Sequence, residues 1–292
     1  MVIVKIRAGL GNQMFQYATA RSLAARLGKK LALDLSFYEI NKSRCFELDC
    51  FKIKASLLTQ KQRQWETKKL SLRGTFAGMM LRNLPRGKIH EPFAENCREN
   101  FSEGVMRITG DTWLEGFWQN ECYFSEIRET LLDEFTFKEA PDALNLEMLS
   151  HIGSVNSVCV HVRRGDYVNT PEASERLGAC EPDYYLRAFD YIQNKVEDPA
   201  FFVFSDEPEW AAANFSHVKR MRIMSHNTGK NDHEDLRLMM HCRHFITANS
   251  SFSWWGAWLA RFPGKLVVTP EIWFRAPAYR HRHAAPDSWV RL

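Results

Sequence analysis

Ser157-Val-Cys-Val-His-Val-Arg-Arg-Gly-Asp166 decides how the second half of this chain is read. Residues Ser157 to Val162 read as a strand, and the strand runs straight into two arginines, a glycine and an aspartate. Adjacent side chains leaving a strand point to opposite faces. One arginine is therefore free to enter a ligand crevice while the other braces the domain. A guanidinium is a fixed fork of donors matched to phosphate oxygens. Asp166 is placed to hold one of the pair, and Gly165 permits a tight turn. The bland alternative is a pair of solvated arginines at a strand end.

Downstream of that stretch, strand and helix alternate. Tyr185, Phe189, Ile192 and Val196 share one helix face. A strand from Phe201 to Phe204 leads into Ser205-Asp-Glu207, followed by a short helix through Trp210 and a strand over Met221–Met224. A helix begins at Asn231 or Asp232, either of which suits an N-cap. A strand from His244 to Ala248 leads into Asn249-Ser-Ser-Phe-Ser253, then come a helix through Trp258 and a closing strand over Leu266–Val268. This alternation predicts a parallel sheet in a Rossmann-like domain. His161–Asp166, Ser205–Glu207 and Asn249–Ser253 each follow a strand, and the carboxyl ends of parallel strands form the ligand crevice. The three clusters are expected to converge. Ser250 and Ser251 open a helix, where free N–H groups favour anions. The plain alternative is a serine N-cap, and Trp254, Trp255 and Trp258 read first as core.

Upstream, a strand over Val2–Ile6, a glycine-containing turn over Ala8–Gln13 and a helix ending near Gly28 lead to a second strand, Leu31–Leu35. That βαβ unit starts a second parallel sheet. The expected domains are therefore residues 1–150 and 151–292. Gly9-Leu-Gly-Asn-Gln-Met14 begins like a dinucleotide fingerprint, with Asp34 where a ribose-binding acid would stand, but Met14 replaces the third glycine. An NAD-dependent oxidoreductase is the rival enzyme, and a non-catalytic carbohydrate-binding protein using its tryptophans is the rival outside enzymes.

Composition narrows the classes further. The 292 residues carry a formal net charge of +4, too little for a dedicated nucleic-acid binder. Seven cysteines have no zinc spacing and read as reduced thiols of a cytosolic protein. Met1-Val-Ile-Val-Lys-Ile-Arg is not a signal peptide, and no stretch approaches a membrane span. Residues 61–88 hold eight Lys/Arg against the one acid Glu66, with Trp65, Phe76, Met79 and Met80 among them. A solvated basic face is the first reading of that segment, and peripheral docking on the inner face of an anionic membrane is the second. Asp232-His-Glu234 has the carboxylate spacing of metal-dependent sugar transferases, yet acids at a helix start complement its dipole, which is the preferred reading.

At this point the residues resemble the bacterial α-1,2-fucosyltransferases of glycosyltransferase family 11. Gly9–Ala18, Leu33-Asp-Leu-Ser36, Gly116-Phe-Trp-Gln119, His161-Val-Arg-Arg-Gly-Asp166 and Asn249–Trp258 carry the resemblance across nearly the whole chain. It implies an α/β GT-B fold, with two Rossmann-like domains facing across a cleft. The first would lie on the acceptor side and the second would bind GDP-fucose. It implies inverting transfer of L-fucose from GDP-β-L-fucose to the 2-hydroxyl of a terminal galactose, with no metal and no further cofactor. Arg163 is expected on the pyrophosphate, His161 and Asp206 near the guanosine, Ser250 and Ser251 near the phosphates, and Gly11 and Asn12 by the donor. Arg163, Asp166 and Asn12 are the catalytic candidates, and the general base has no obvious owner.

Overall fold

The computed structural model describes residues 1–71, 91–96 and 99–292. They form two compact units, Met1–Lys138 and Glu139–Leu292. The division falls earlier than residue 150, because the helix over Ala143–Ser154 packs on the second sheet.

In the first unit, β1 (Val2–Lys5) leads to α1 (Leu10–Arg26), β2 (Leu31–Asp34), α2 (Ser36–Ile40), β3 (Ser56–Leu57) and α3 (Gln60–Ser71). After these come β4 (Glu91–Ala94), β5 (Thr112–Glu115) and α4 (Arg128–Glu134). All pairings are parallel, in the order β3-β2-β1-β5-β4. Val2, Ile3 and Val4 are fully buried, as expected for a strand covered on both faces. The expected turn over Ala8–Gln13 is corrected here: Gly9 is the N-cap, so Gly11 and Asn12 already lie in the first turn of α1. Gly28, at φ +60°, ends that helix; its N–H reaches Ala25 O at 3.1 Å and the Lys29 N–H reaches Ala24 O at 2.9 Å. Strands β4 and β5 have no expected counterpart. They are four residues each, and Pro92 is tolerated because β4 is an edge strand.

The second unit runs through α5 (Ala143–Ser154), β6 (Asn156–Val162), α6 (Gly165–Asn169), α7 (Pro171–Arg176), α8 (Pro182–Gln193), β7 (Pro199–Ser205), α9 (Pro208–Phe215) and β8 (Met221–Met224). It continues with α10 (Asp232–Met239), β9 (His244–Ile246), α11 (Ser251–Leu259), β10 (Val267–Thr269) and β11 (Val290–Arg291). Its sheet is also wholly parallel, ordered β11-β10-β9-β6-β7-β8. Strand order therefore reverses between β6 and β9, the doubly wound pattern with its switch point there. Val158, Val160 and Val162 pack with Tyr185, Phe189 and Ile192 of α8 and Phe215 of α9 in one core cluster. Cys159 and His161 alternate to the other face. Three details depart from expectation. Val290–Arg291 adds a strand beyond β10, Val196 packs in the core from beyond the end of α8, and Asn231 caps α10 by position with no side-chain bond. No described helix is long and apolar enough to cross a membrane.

Candidate active site

Strand β6 ends at the switch point, and the two arginines that follow do diverge. The Arg164 guanidinium lies over the Trp210 ring at 4.2 Å, and its Nε donates to Glu207 Oε2 at 2.9 Å. Arg163 turns the other way. It donates to Asp166 Oδ1 at 2.7 Å and lies 3.2 Å from Asp206 Oδ2. The Arg164 backbone N–H donates to Asp206 Oδ1 at 2.9 Å, so this carboxylate ties the ends of β6 and β7 together. Gly165 is needed for space: a Cβ there would stand 2.7 Å from Asp206 Oδ2. That requirement goes beyond the tight turn read from the sequence. Arg163 and Asp206 are about three-quarters buried, which limits the freedom of both without removing them from solvent.

His161 precedes this pair and is 6% exposed. Burial, then the charge of Arg163, pushes its imidazole down to about 3, so it is neutral. Its backbone carbonyl accepts from Tyr185 Oη at 3.1 Å, and its ring lies 5.9 Å from Phe252 of α11. Among the described residues its Nδ1 is buried without a hydrogen-bond partner. Such an atom is costly unless a ligand completes it.

Across the switch point, Ser250 caps α11 and its Oγ accepts the Phe252 N–H at 3.4 Å. Ser251, partly exposed, opens the helix. The preceding Asn249 has a role that sequence reasoning missed. Its Nδ2 donates to the carbonyls of Leu177, Gly178 and Trp273 at 3.0–3.2 Å, and its Oδ1 accepts from Cys180 Sγ. Asn249 thus fixes two remote chain segments, 177–180 and the one at Trp273, beside the serines, and its carbonyl takes the Tyr167 hydroxyl at 3.3 Å. An asparagine directly after a strand was the available signal, but its partners are remote in sequence. The three expected clusters do converge in the second unit, through Arg163–Asp206, His161–Phe252 and Tyr167–Asn249.

Gly11 and Asn12 belong to the first unit. There Asn12 Oδ1 accepts from Gln119 Nε2 at 2.7 Å, which joins the first sequence block to Gly116-Phe-Trp-Gln119 at the β1/β5 switch point. Gln16 Nε2 adds a bond to the Gly116 carbonyl at 3.2 Å. Glu95, which sequence reading did not single out, accepts the N–H groups of Phe117 and Trp118 at 2.6 and 3.1 Å.

The rival readings lose their residues. Asp34 is 2% exposed, and its two oxygens accept from Ser36 N and Ser36 Oγ at 3.0 Å, so it closes a turn and offers nothing to a ribose. Trp254, Trp255 and Trp258 are buried core and present no face to a free sugar. Glu234 pairs with Arg237 at 2.7 Å in the first turn of α10, in keeping with its reading as a helix-start acid. Residues 61–71 of the basic segment include α3, with Trp65 48% exposed; residues 72–88, with Phe76, Met79 and Met80, lie outside the described residues.

Comparison with known proteins agrees with this geometry. The profile of Glycosyl transferase family 11 matches residues 99–291. An α-1,2-colitosyltransferase of Escherichia coli is 33% identical, with 100% of this chain and 99% of that protein covered. A galactoside α-(1,2)-fucosyltransferase 1 of Sus scrofa is 26% identical over 86% of this chain and 63% of its own length. Among solved structures, the NodZ α-1,6-fucosyltransferase of Bradyrhizobium, soaked with GDP-fucose, superposes with a TM-score of 0.51 at 15% identity, covering 91% of this chain and 94% of NodZ. The two parallel α/β units are those of the GT-B fold. With its profile match over most of its length and its full-length similarity to the colitosyltransferase, this chain belongs to glycosyl transferase family 11.

Proposed function

We propose that the chain moves L-fucose from GDP-β-L-fucose to the 2-hydroxyl of a terminal galactose, with inversion and without a metal ion. The observation that carries this reading is the largely buried Arg163 at the β6/β9 switch point, held by Asp166 and Asp206 opposite the N-terminus of α11. As the sugar departs, negative charge grows on the leaving diphosphate. A guanidinium already fixed in place stabilises that charge without reorganising. The α11 first-turn amides and the Ser251 hydroxyl supply further donors.

The remaining residues take parts that fit their surroundings. Neutral His161, with its uncommitted Nδ1, suits the guanosine, and Asp206 suits its neighbourhood. Asp166 acts as a positioning partner of Arg163, since its carboxylate is engaged there. His161, protonated only near pH 3, is too weak a base to serve the acceptor. A late, dissociative transition state reduces the need for one. The first unit takes the acceptor side, and on this reading Gly11 and Asn12 at its switch point, first expected by the donor with Asn12 among the catalytic candidates, are assigned to the acceptor instead. The fucosyl donor is favoured by the sequence blocks shared with α-1,2-fucosyltransferases, and the colitosyltransferase marks the alternative sugar.

The test is transfer by the purified chain to a panel of β-galactosides, with GDP-fucose and the colitosyl donor offered separately in excess EDTA. The expected result is GDP release from GDP-fucose and an α-1,2 product by NMR. Preference for the colitosyl donor, another linkage, or rescue of lost activity by Mn²⁺ overturns the corresponding part. Cytosolic residence completes the proposal, with a solvated basic face over residues 61–88 as its first reading and peripheral docking on an anionic membrane as its second. Liposome flotation at low salt tests it, and equal recovery with neutral and anionic vesicles removes it.

A further inference from the structure

The first turn of α1 and the segment that follows β5 are joined by a pair of side-chain amides, Gln119 Nε2 to Asn12 Oδ1 at 2.7 Å. A primary amide has one acceptor oxygen and two N–H donors. Once this bond is made, Asn12 keeps its NH₂ group and Gln119 keeps its carbonyl oxygen, and no other described group engages either. Turning both amides by half a rotation reverses the roles yet leaves the same outcome, one donor and one acceptor side by side.

The supports of the pair are rigid. Asn12 rides the first turn of α1, its N–H bonded to Gly9 O at 3.0 Å. Gln119 follows two residues whose N–H groups are held by the buried Glu95 carboxylate. Gln16, fully buried, anchors the Gly116 carbonyl. Both amides are partly exposed, so a ligand can reach them.

We infer that Asn12 and Gln119 form a paired-amide reader for one hydroxyl of the acceptor sugar, with Gln119 as its specificity-determining member. The inference rests on the acceptor-side reading of the first unit given above. A sugar hydroxyl donates one hydrogen bond and accepts others. The pair offers the complement: the Gln119 carbonyl accepts, and the Asn12 amide donates. A ring position without a hydroxyl leaves both groups unpaired, the situation in which polar sites discriminate most strongly.

Calorimetric titration of the full chain, with GDP present, tests the pair using methyl β-D-galactoside and its four monodeoxy forms. In the wild type, one deoxy sugar is expected to bind roughly tenfold or more weakly than the parent. In Gln119→Met the parent should fall to that level, closing the gap at that ring position alone. Affinity for GDP and the melting temperature should be unchanged. Gln119→Glu keeps an acceptor oxygen but has no N–H for Asn12 Oδ1, so the Asn12 amide turns to donate one N–H to the carboxylate, and its second N–H with the remaining carboxylate oxygen is expected to retain part of the discrimination. The same set of gaps in wild type and Gln119→Met overturns the inference, as does a parent affinity that the Met variant leaves intact. No donor sugar enters the titration. A chain that transfers a sugar other than fucose would therefore still show the closing gap, while the donor assay alone would fail.

Discussion

At the β6/β9 switch point Arg163 lies within salt-bridge distance of two carboxylates, Asp166 and Asp206. At the β1/β5 switch point Lys5 and Arg7 pair with Glu115 at the strand ends, and beyond them uncharged amides join the segments that follow, Gln119 to Asn12 and Gln16 to the Gly116 carbonyl. Both sheets are parallel and both place a helix N-terminus at the reversal of strand order, so topology alone does not distinguish them. Side-chain chemistry does. A fixed guanidinium beside a helix N-terminus suits a diphosphate, whereas paired amides suit a neutral, hydroxyl-bearing molecule. The division of labour proposed for the two units follows from that contrast.

The largest effect that could break the contrast lies at the two arginines. Arg163→Ala is expected to lower kcat by roughly 10²–10³. Arg163→Lys should remain nearly as impaired, since it keeps the charge and loses the fork. Arg164→Ala should chiefly lower the melting temperature, because it removes the Glu207 pair and the stack on Trp210. Kinetics with melting curves for the three variants decide the matter. A folded but inactive Arg164→Ala beside an Arg163→Ala within about tenfold of wild type reverses the assignment.

A smaller effect is expected in the first unit, and it should be structural in kind. Glu95→Ala deprives the Phe117 and Trp118 N–H groups of their acceptor. A loss of about 1–3 kcal/mol is expected, read by denaturant unfolding. An unchanged midpoint would mean that the Gly116–Gln119 block holds its shape without this carboxylate.

Asp235 offers a pH test confined to the second unit. Burial, followed by repulsion from Asp232 and Glu234, pushes its carboxyl up to about 7, against the opposing bond from Asn227. The unfolded chain, with an ordinary pKa near 3.8, releases this proton first. Stability from this group therefore falls as pH rises from about 4 to about 7 and levels off above that. Asp235→Asn should remove that slope, worth about 4 kcal/mol for the full shift, and stabilise the fold at pH 8. Parallel pH–melting curves for the two proteins would contradict this.

The mildest effect is that of salt. Raising ionic strength should weaken GDP binding severalfold, because Arg163 is partly open to solvent and its attraction for phosphate is screened. Galactoside affinity should hardly move, since its proposed partners are neutral. Equal salt dependence of both ligands would erase the contrast between the two switch points.

The second unit was legible in the sequence because its chemistry is local. Valines alternate through β6, β7 is a run of buried apolar residues, and each motif directly follows its strand. Strand ends then predict convergence without any knowledge of strand order. The divergence of Arg163 and Arg164 was legible for the same reason, since it follows from the period of a strand. In the first unit only the opening βαβ could be read. Strands β4 and β5 are short, and β4 contains proline, so neither leaves a periodic signal.

The sequence by itself determined the family, the alternation of strand and helix, and the residues that end each strand of the second sheet. Those properties are written in neighbouring residues and in short spacings. Only the tertiary structure decided that strand order reverses at β6/β9 and β1/β5, that Gly165 must lack a Cβ so that Asp206 can approach, and that Asn249 clamps two remote segments. It also decided that Asn12 meets Gln119 across 107 positions of chain. Pairings over such separations depend on which strands lie side by side, and local propensity carries no record of that choice.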